Sequence, residues 1–126
     1  MSIKMGVGRS DNKNPSEAGV QAYRQAIKNL KDKNADLLLV FASSNYDQDE
    51  MLKSINSVNQ GAKIIGCSTA GEITNEGSFN NSVVIAALRS EKAKFYIAKS
   101  ENMDKGARES GANLAKNLKS QTKLIN

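Results

Sequence analysis

The chain holds 126 residues, 39% hydrophobic and 25% charged, with a net charge of +5. That is one domain's worth of sequence with enough apolar content for a core, and it excludes a disordered polyelectrolyte. Histidine is absent and cysteine occurs once, which excludes Cys-His and Ser-His-Asp systems, a zinc site and an internal disulfide within this chain.

Ile3 to Gly8 reads as a first strand, followed by the polar turn Arg9-Ser10-Asp11-Asn12-Lys13. Asn14-Pro15-Ser16-Glu17 is a helix start: Asn14 can cap, Pro15 suits the first turn, and Glu17 can complete a capping box. Val20, Tyr23, Ile27 and Leu30 then recur at helical spacing, predicting a helix that ends near Asn34. Ala35 to Ala42 contains the continuous run Leu37-Leu38-Leu39-Val40-Phe41, the pattern of a strand covered on both faces. Met51, Leu52, Ile55 and Val58 mark a second amphipathic helix, stopped near Gly61.

Lys63 to Gly66 is a third strand. Thr74 to Asn81 reads as an irregular loop with Gly77 and Asn80-Asn81 as turn formers. Ser82 to Leu88 is a fourth strand and Ala93 to Ala98 a fifth, the two expected to pair as a hairpin. Asp104 is positioned to cap a last helix, with Ala107, Gly111, Leu114, Ala115 and Leu118 on its inner face. The order β-α-β-α-β-β-β-α predicts a single α/β domain over residues 1–126, with right-handed crossovers, a parallel core and an added hairpin.

Charge is unevenly spread. Residues 1–34 carry seven Lys/Arg against three Asp/Glu, residues 35–90 three against six, and residues 91–126 eight against four. The basic excess gathers at helix ends, at Lys28, Lys31 and Lys33 and at Lys116, Lys119 and Lys123. Cations there complement the helix dipole. With few aromatics interleaved, this is a solvated surface and not a nucleic-acid interface. No apolar run reaches the roughly 20 residues that span a bilayer. The opening Met1-Ser2-Ile3-Lys4-Met5-Gly6 lacks a signal peptide's apolar core. With the lone cysteine, this gives the expectation of a cytoplasmic chain.

Function is expected at Gly66-Cys67-Ser68-Thr69-Ala70-Gly71-Glu72-Ile73, which leaves the third strand. In α/β sheets, ligands bind beyond the carboxyl ends of parallel strands. The loop Ser43-Ser44-Asn45-Tyr46-Asp47 meets the same condition after the second strand. If those strands are close, the two loops line one crevice. Cys67 is either a nucleophile or a small residue at a strand end. Ser68 and Thr69 either bind a ligand or satisfy their own loop. The N–H groups from Ser68 to Gly71 are candidates for an anion-binding nest. Glu72, Tyr46 and Asp47 are candidate partners for an amine or ordinary surface groups. The ligand-binding set is therefore Ser43, Ser44, Tyr46, Asp47, Cys67, Ser68, Thr69, Ala70, Gly71 and Glu72. No cofactor, metal ligand or catalytic group is assigned. Gly6-Val7-Gly8 is not a dinucleotide fingerprint, because Asp11 stands where the third glycine belongs, and no phosphate-binding P-loop is present.

The run Ile65-Gly66-Cys67-Ser68-Thr69-Ala70-Gly71-Glu72-Ile73 resembles the signature of the FIST N-terminal domain. Ala35 to Ser43, Tyr46-Asp47, Ser82 to Ala86, and Gly6 to Ser10 with the following helix fit the same family in order and spacing. The resemblance implies a non-enzymatic sensory module of signal transduction that binds a small polar metabolite such as an amino acid. It also implies a signalling output domain or protein as partner. The family's N-terminal domain continues into a second, similar half. The chain is therefore expected to match the first half only and to form a homodimer that covers the exposed apolar surface. Two rival readings are a small enzyme using Cys67 or Ser68 as nucleophile and a structural self-association module.

Overall fold

The computed structural model describes residues 2–101 and 103–122; Lys123, one of the basic residues noted above, lies outside them. The chain divides into two compact units, Met1–Lys94 and Phe95–Asn126. The first unit holds strands β1 (Ile3–Ser10), β2 (Leu37–Ser43), β3 (Lys63–Thr69), β4 (Glu72–Thr74), β5 (Gly77–Phe79) and β6 (Val83–Ser90), with helices α1 (Pro15–Leu30) and α2 (Gln48–Val58). The α/β class and the mixed sheet with an added hairpin are as expected.

Both helix starts follow the local chemistry. Asn14 caps α1 by accepting from the Glu17 N–H, with Pro15 in the first turn. Asp47 caps α2 by accepting from the Glu50 N–H. A side-chain acceptor there satisfies an N–H that has no partner within the helix. Helix α1 stops at Leu30, four residues before the expected end, because Lys31 turns left-handed at φ 55° and bonds back to the Lys28 carbonyl.

The main sheet runs β1-β6-β2-β3. Strand β6 is antiparallel to both β1 and β2, and β2 is parallel to β3. The expected parallel core is thus a single parallel pair, with β6 inserted between strands β1 and β2 that share one direction. This insertion also corrects the expected hairpin. Both edges of β6 are taken, so Ala93 to Ala98 finds no free edge beside it and carries no strand. The hairpin forms earlier, where an irregular loop was expected: β4 pairs with β5 across Asn75-Glu76. Gly77 permits the tight return at φ 137°, and the Glu76 N–H donates to the Thr74 hydroxyl.

Register sorts the sheet into two faces. Leu38, Val40, Ala42, Val83, Ile85 and Ala87 form the core with Ala18, Ala22, Ala26 and Leu30 of α1 and Met51 and Ile55 of α2. The small residues of α1 let it lie directly on β1. A Cβ on Gly8 would sit 2.1 Å from the Ala22 carbonyl oxygen, and one on Gly6 2.1 Å from the Leu30 nitrogen. The opposite face carries Met5, Val7 and Arg9 in register with Leu88, Ala86 and Val84. Leu37, Leu39 and Phe41 lie in register with the same three residues from the other side.

In the second unit, a 3-10 turn over Met103–Lys105 precedes α3 (Ala107–Thr122). Asp104 sits in that turn and does not cap α3. Gly106 intervenes at φ 131°, its N–H bonded to the Met103 carbonyl. Of the expected inner face, Leu114 and Leu118 are half-buried, while Ala107, Gly111 and Ala115 are exposed.

Gly8→Ala is expected to lower stability by about 3 kcal/mol, the upper end for overpacking, because backbone and not a flexible side chain occupies the space. A urea titration reads this, and an unchanged midpoint would contradict the packing.

Candidate functional site

The carboxyl ends of β2 and β3 lie side by side. Ser43 is in register with Thr69, and the Ser44 N–H donates to the Thr69 carbonyl at 3.2 Å. The two loops read from the sequence are therefore neighbours, as the parallel pairing requires. The residues within them divide between holding the loops in place and facing outward.

Glu72 belongs to the first group. It is 3% exposed. One carboxylate oxygen accepts from the Thr69 hydroxyl; the other accepts from the Ser82 hydroxyl and the Ser82 N–H. A buried carboxylate needs such donors to offset its lost hydration. These bonds tie the end of β3 to the start of β6, which is the chain's return across the sheet. Glu72 is thus occupied by its own fold and does not face an amine.

Ser43 is buried, with its hydroxyl accepting from the Asn45 N–H. Tyr46 is half-buried, and its hydroxyl lies within bonding distance of the Asn12 and Asn81 carbonyls at 2.7 and 2.9 Å. Burial pushes its phenol above the ordinary range, helped by the charges of Asp11 and Glu72. The hydroxyl thus stays protonated and able to donate. Asp47 is spent on capping α2.

Ser44, Cys67, Ser68, Ala70 and Gly71 are exposed. Strand β3 extends through Thr69, further than the sequence pattern indicates. An extended backbone sends successive N–H groups to opposite edges, so the Ser68 and Thr69 amides at the strand's end diverge, while Ala70 and Gly71 follow in the bend beyond it. Cys67 and Ser68 instead line a groove of about 240 Å³ between β3 and α2, with Gln48, Met51, Leu52 and Ile65 among its walls. Tyr46 borders a separate hollow of about 320 Å³ with Asp11, Lys13, Asn45, Asn80 and Asn81. The ten candidate residues therefore converge on one end of the sheet but do not share one cavity.

The sequence reading missed a roomier cleft, about 590 Å³, that runs from the sheet face opposite the core round the β1 edge to Gln25 and Asn29 of α1. Met5, Val7, Phe41, Val84 and Ala86 line it, with the turn Thr74-Asn75-Glu76 at its border. Arg9 also borders it, its guanidinium carbon 3.9 Å from the centroid of the Phe79 ring. The alternation of Met5, Val7 and Arg9 in the first strand was the available signal, since those residues share one face. Among the described residues, no group of three or more acidic or cysteine side chains is placed to hold a metal ion.

The sequence profile of the FIST N domain matches residues 36–125. The chain belongs to that family. FIST domains are sensory modules of signalling proteins and typically non-catalytic, which sets this chain in a signalling context. Among the described residues, no helix is long and apolar enough to cross a membrane. No curated protein sequence matches the chain. Among solved structures, it is similar to an FtsZ mutant from M. jannaschii, at 19% identity and a TM-score of 0.45, covering 70% of this chain and 27% of that one. It is also similar to an empty FtsZ dimer from M. jannaschii, at 17% identity and a TM-score of 0.41, covering 77% and 34%. The chain thus spans between a quarter and about a third of the FtsZ chains it resembles, and at these scores the likeness assigns no function.

Glu72→Gln is expected to lower stability by about 1–3 kcal/mol, because the amide's NH₂ meets hydroxyl and N–H donors where the carboxylate accepted. Chemical denaturation compares the two proteins. Equal midpoints would mean that the buried carboxylate does not hold the return of the chain.

Proposed function

We propose that this FIST domain senses a small polar metabolite, such as an amino acid, at the carboxyl ends of β2 and β3. The observation that carries the reading is the Ser44–Thr69 backbone bond, which keeps the two loops adjacent at the sheet end where α/β folds bind ligands. Within the set Ser43, Ser44, Tyr46, Asp47, Cys67, Ser68, Thr69, Ala70, Gly71 and Glu72, two roles separate. Ser44, Cys67, Ser68, Ala70 and Gly71 offer the ligand contacts. Ser43, Tyr46, Asp47, Thr69 and Glu72 hold the loops that present them.

A non-catalytic role fits the same arrangement. Glu72 is engaged by Thr69 and Ser82, so it is not free to serve Cys67 or Ser68 as a general base. Signalling requires that the ligand bind two states of the module unequally. We further propose that the chain works in the cytoplasm as a homodimer and passes the change to a signalling output domain or protein. Strand β3 is the natural contact: it is an edge of the sheet, with Ile65 and Cys67 exposed along it. The β1 edge differs, because Gln25 accepts from the Arg9 N–H and Asn29 donates to the Val7 carbonyl. Such side chains block strand addition there.

A thermal-shift screen of the amino acids and small organic acids tests the reading. At a hundredfold excess over Kd, a true ligand adds about 2.7 kcal/mol, or about 10 °C in a domain of this size. A screen in which no compound moves the midpoint counts against it.

A further inference from the structure

The cleft beside β1, bordered by Gln25 and Asn29 of α1, is chemically unlike the loops just described. Its floor is apolar and continuous across three strands. Arg9 is in register with Val84, and Val84 with Phe41; Val7 is in register with Ala86. Met5 is 61% exposed and Phe41 38% exposed on this face. At about 590 Å³ the cleft falls within the range of small-molecule sites.

One cation stands at its border. The Arg9 guanidinium stacks on Phe79, which fixes the head against the β4–β5 hairpin. Its ion pairs are loose: Asp11 at 3.3 Å and Glu76 at 3.9 Å, both to largely exposed carboxylates. A guanidinium carries five N–H donors in a fork suited to a carboxylate. Glu76 also lines the cleft, so a dianionic phosphate would meet repulsion that a single carboxylate meets less. An apolar floor with one forked cation at its rim, loosely paired with Glu76, complements a particular ligand class.

We propose that this cleft binds a small monocarboxylate with an apolar body, its carboxylate on Arg9 and its body on Met5, Val7, Phe41, Val84 and Ala86. The ligand's carboxylate takes over the donors that Glu76 approaches. Binding therefore releases one tie between the hairpin turn and β1. Since β4 begins at Glu72, the hairpin connects this cleft to the carboxylate that pins the loop at the sheet's end.

The test uses 3-phenylpropionate as probe, with acetate and 3-phenylpropionamide as comparators, read by amide chemical shifts of the whole chain. The expected result is that 3-phenylpropionate shifts Val7, Arg9, Val84 and the Thr74–Glu76 turn. Acetate, lacking the body, and the amide, lacking the charge, are each expected to bind about tenfold or more weakly. Arg9→Gln is expected to lose a similar factor. Glu76→Gln, which removes the competitor and leaves the fold intact, is expected to tighten binding by about threefold. Equal binding of acid and amide, unchanged or weaker binding in Glu76→Gln, or shifts confined to Ser44 and Cys67–Gly71 would each overturn the proposal. The site is separate from the loops assigned above, so either assignment can fail while the other stands.

Discussion

The arrangement depends on a buried carboxylate held by two hydroxyls and one N–H. Glu72 accepts from Thr69 on one side and Ser82 on the other. Those residues are the last of β3 and the residue before β6. After β3 the chain must cross back over β2 to enter the sheet beside β1. That return has little apolar surface to guide it: the intervening hairpin is short, and Ile73 is 81% exposed. Hydrogen bonds to a charge are directional where hydrophobic burial is not. The single carboxylate therefore fixes where the crossing lands, and thereby which residues of β6 face the helices.

The consequences run outward from that point. With Val83, Ile85 and Ala87 turned toward α1 and α2, Val84 and Ala86 join Phe41 and Val7 on the other face. One face becomes the core and the other a cleft under the hairpin. The loop after β3 is held by the same bonds, and the Ser44 N–H is tied to it through the Thr69 carbonyl. A ligand at either proposed place would act on a segment anchored at Glu72, a physical route from binding to a change of shape.

Much of this was legible before the fold was known, for identifiable reasons. Asn14, Pro15 and Asp47 announce helix starts because capping is local chemistry. The apolar run from Leu37 to Phe41 announces a central strand because it is buried on one face and half-covered on the other. The adjacency of the two loops followed from the parallel pairing of β2 and β3. What was hidden was long-range. No local signal says that β6 enters between β1 and β2, so the hairpin expected after it had no edge to pair with. Glu72 illustrates the same limit. Its sequence position suggests an exposed loop carboxylate, and only the return of Ser82 from ten residues away makes it an internal acceptor. The cleft around Arg9 was hidden too, because its lining comes from separate segments brought into register by that insertion.

The most direct measurement is site-resolved hydrogen exchange on the unmodified chain. If Glu72 pins the crossing, the Ser82 amide exchanges only through global unfolding, as slowly as the core amides of β6. Exchange of Ser82 at the rate of the exposed Asn75-Glu76 turn would contradict the account, since the crossing would then open without unfolding the sheet.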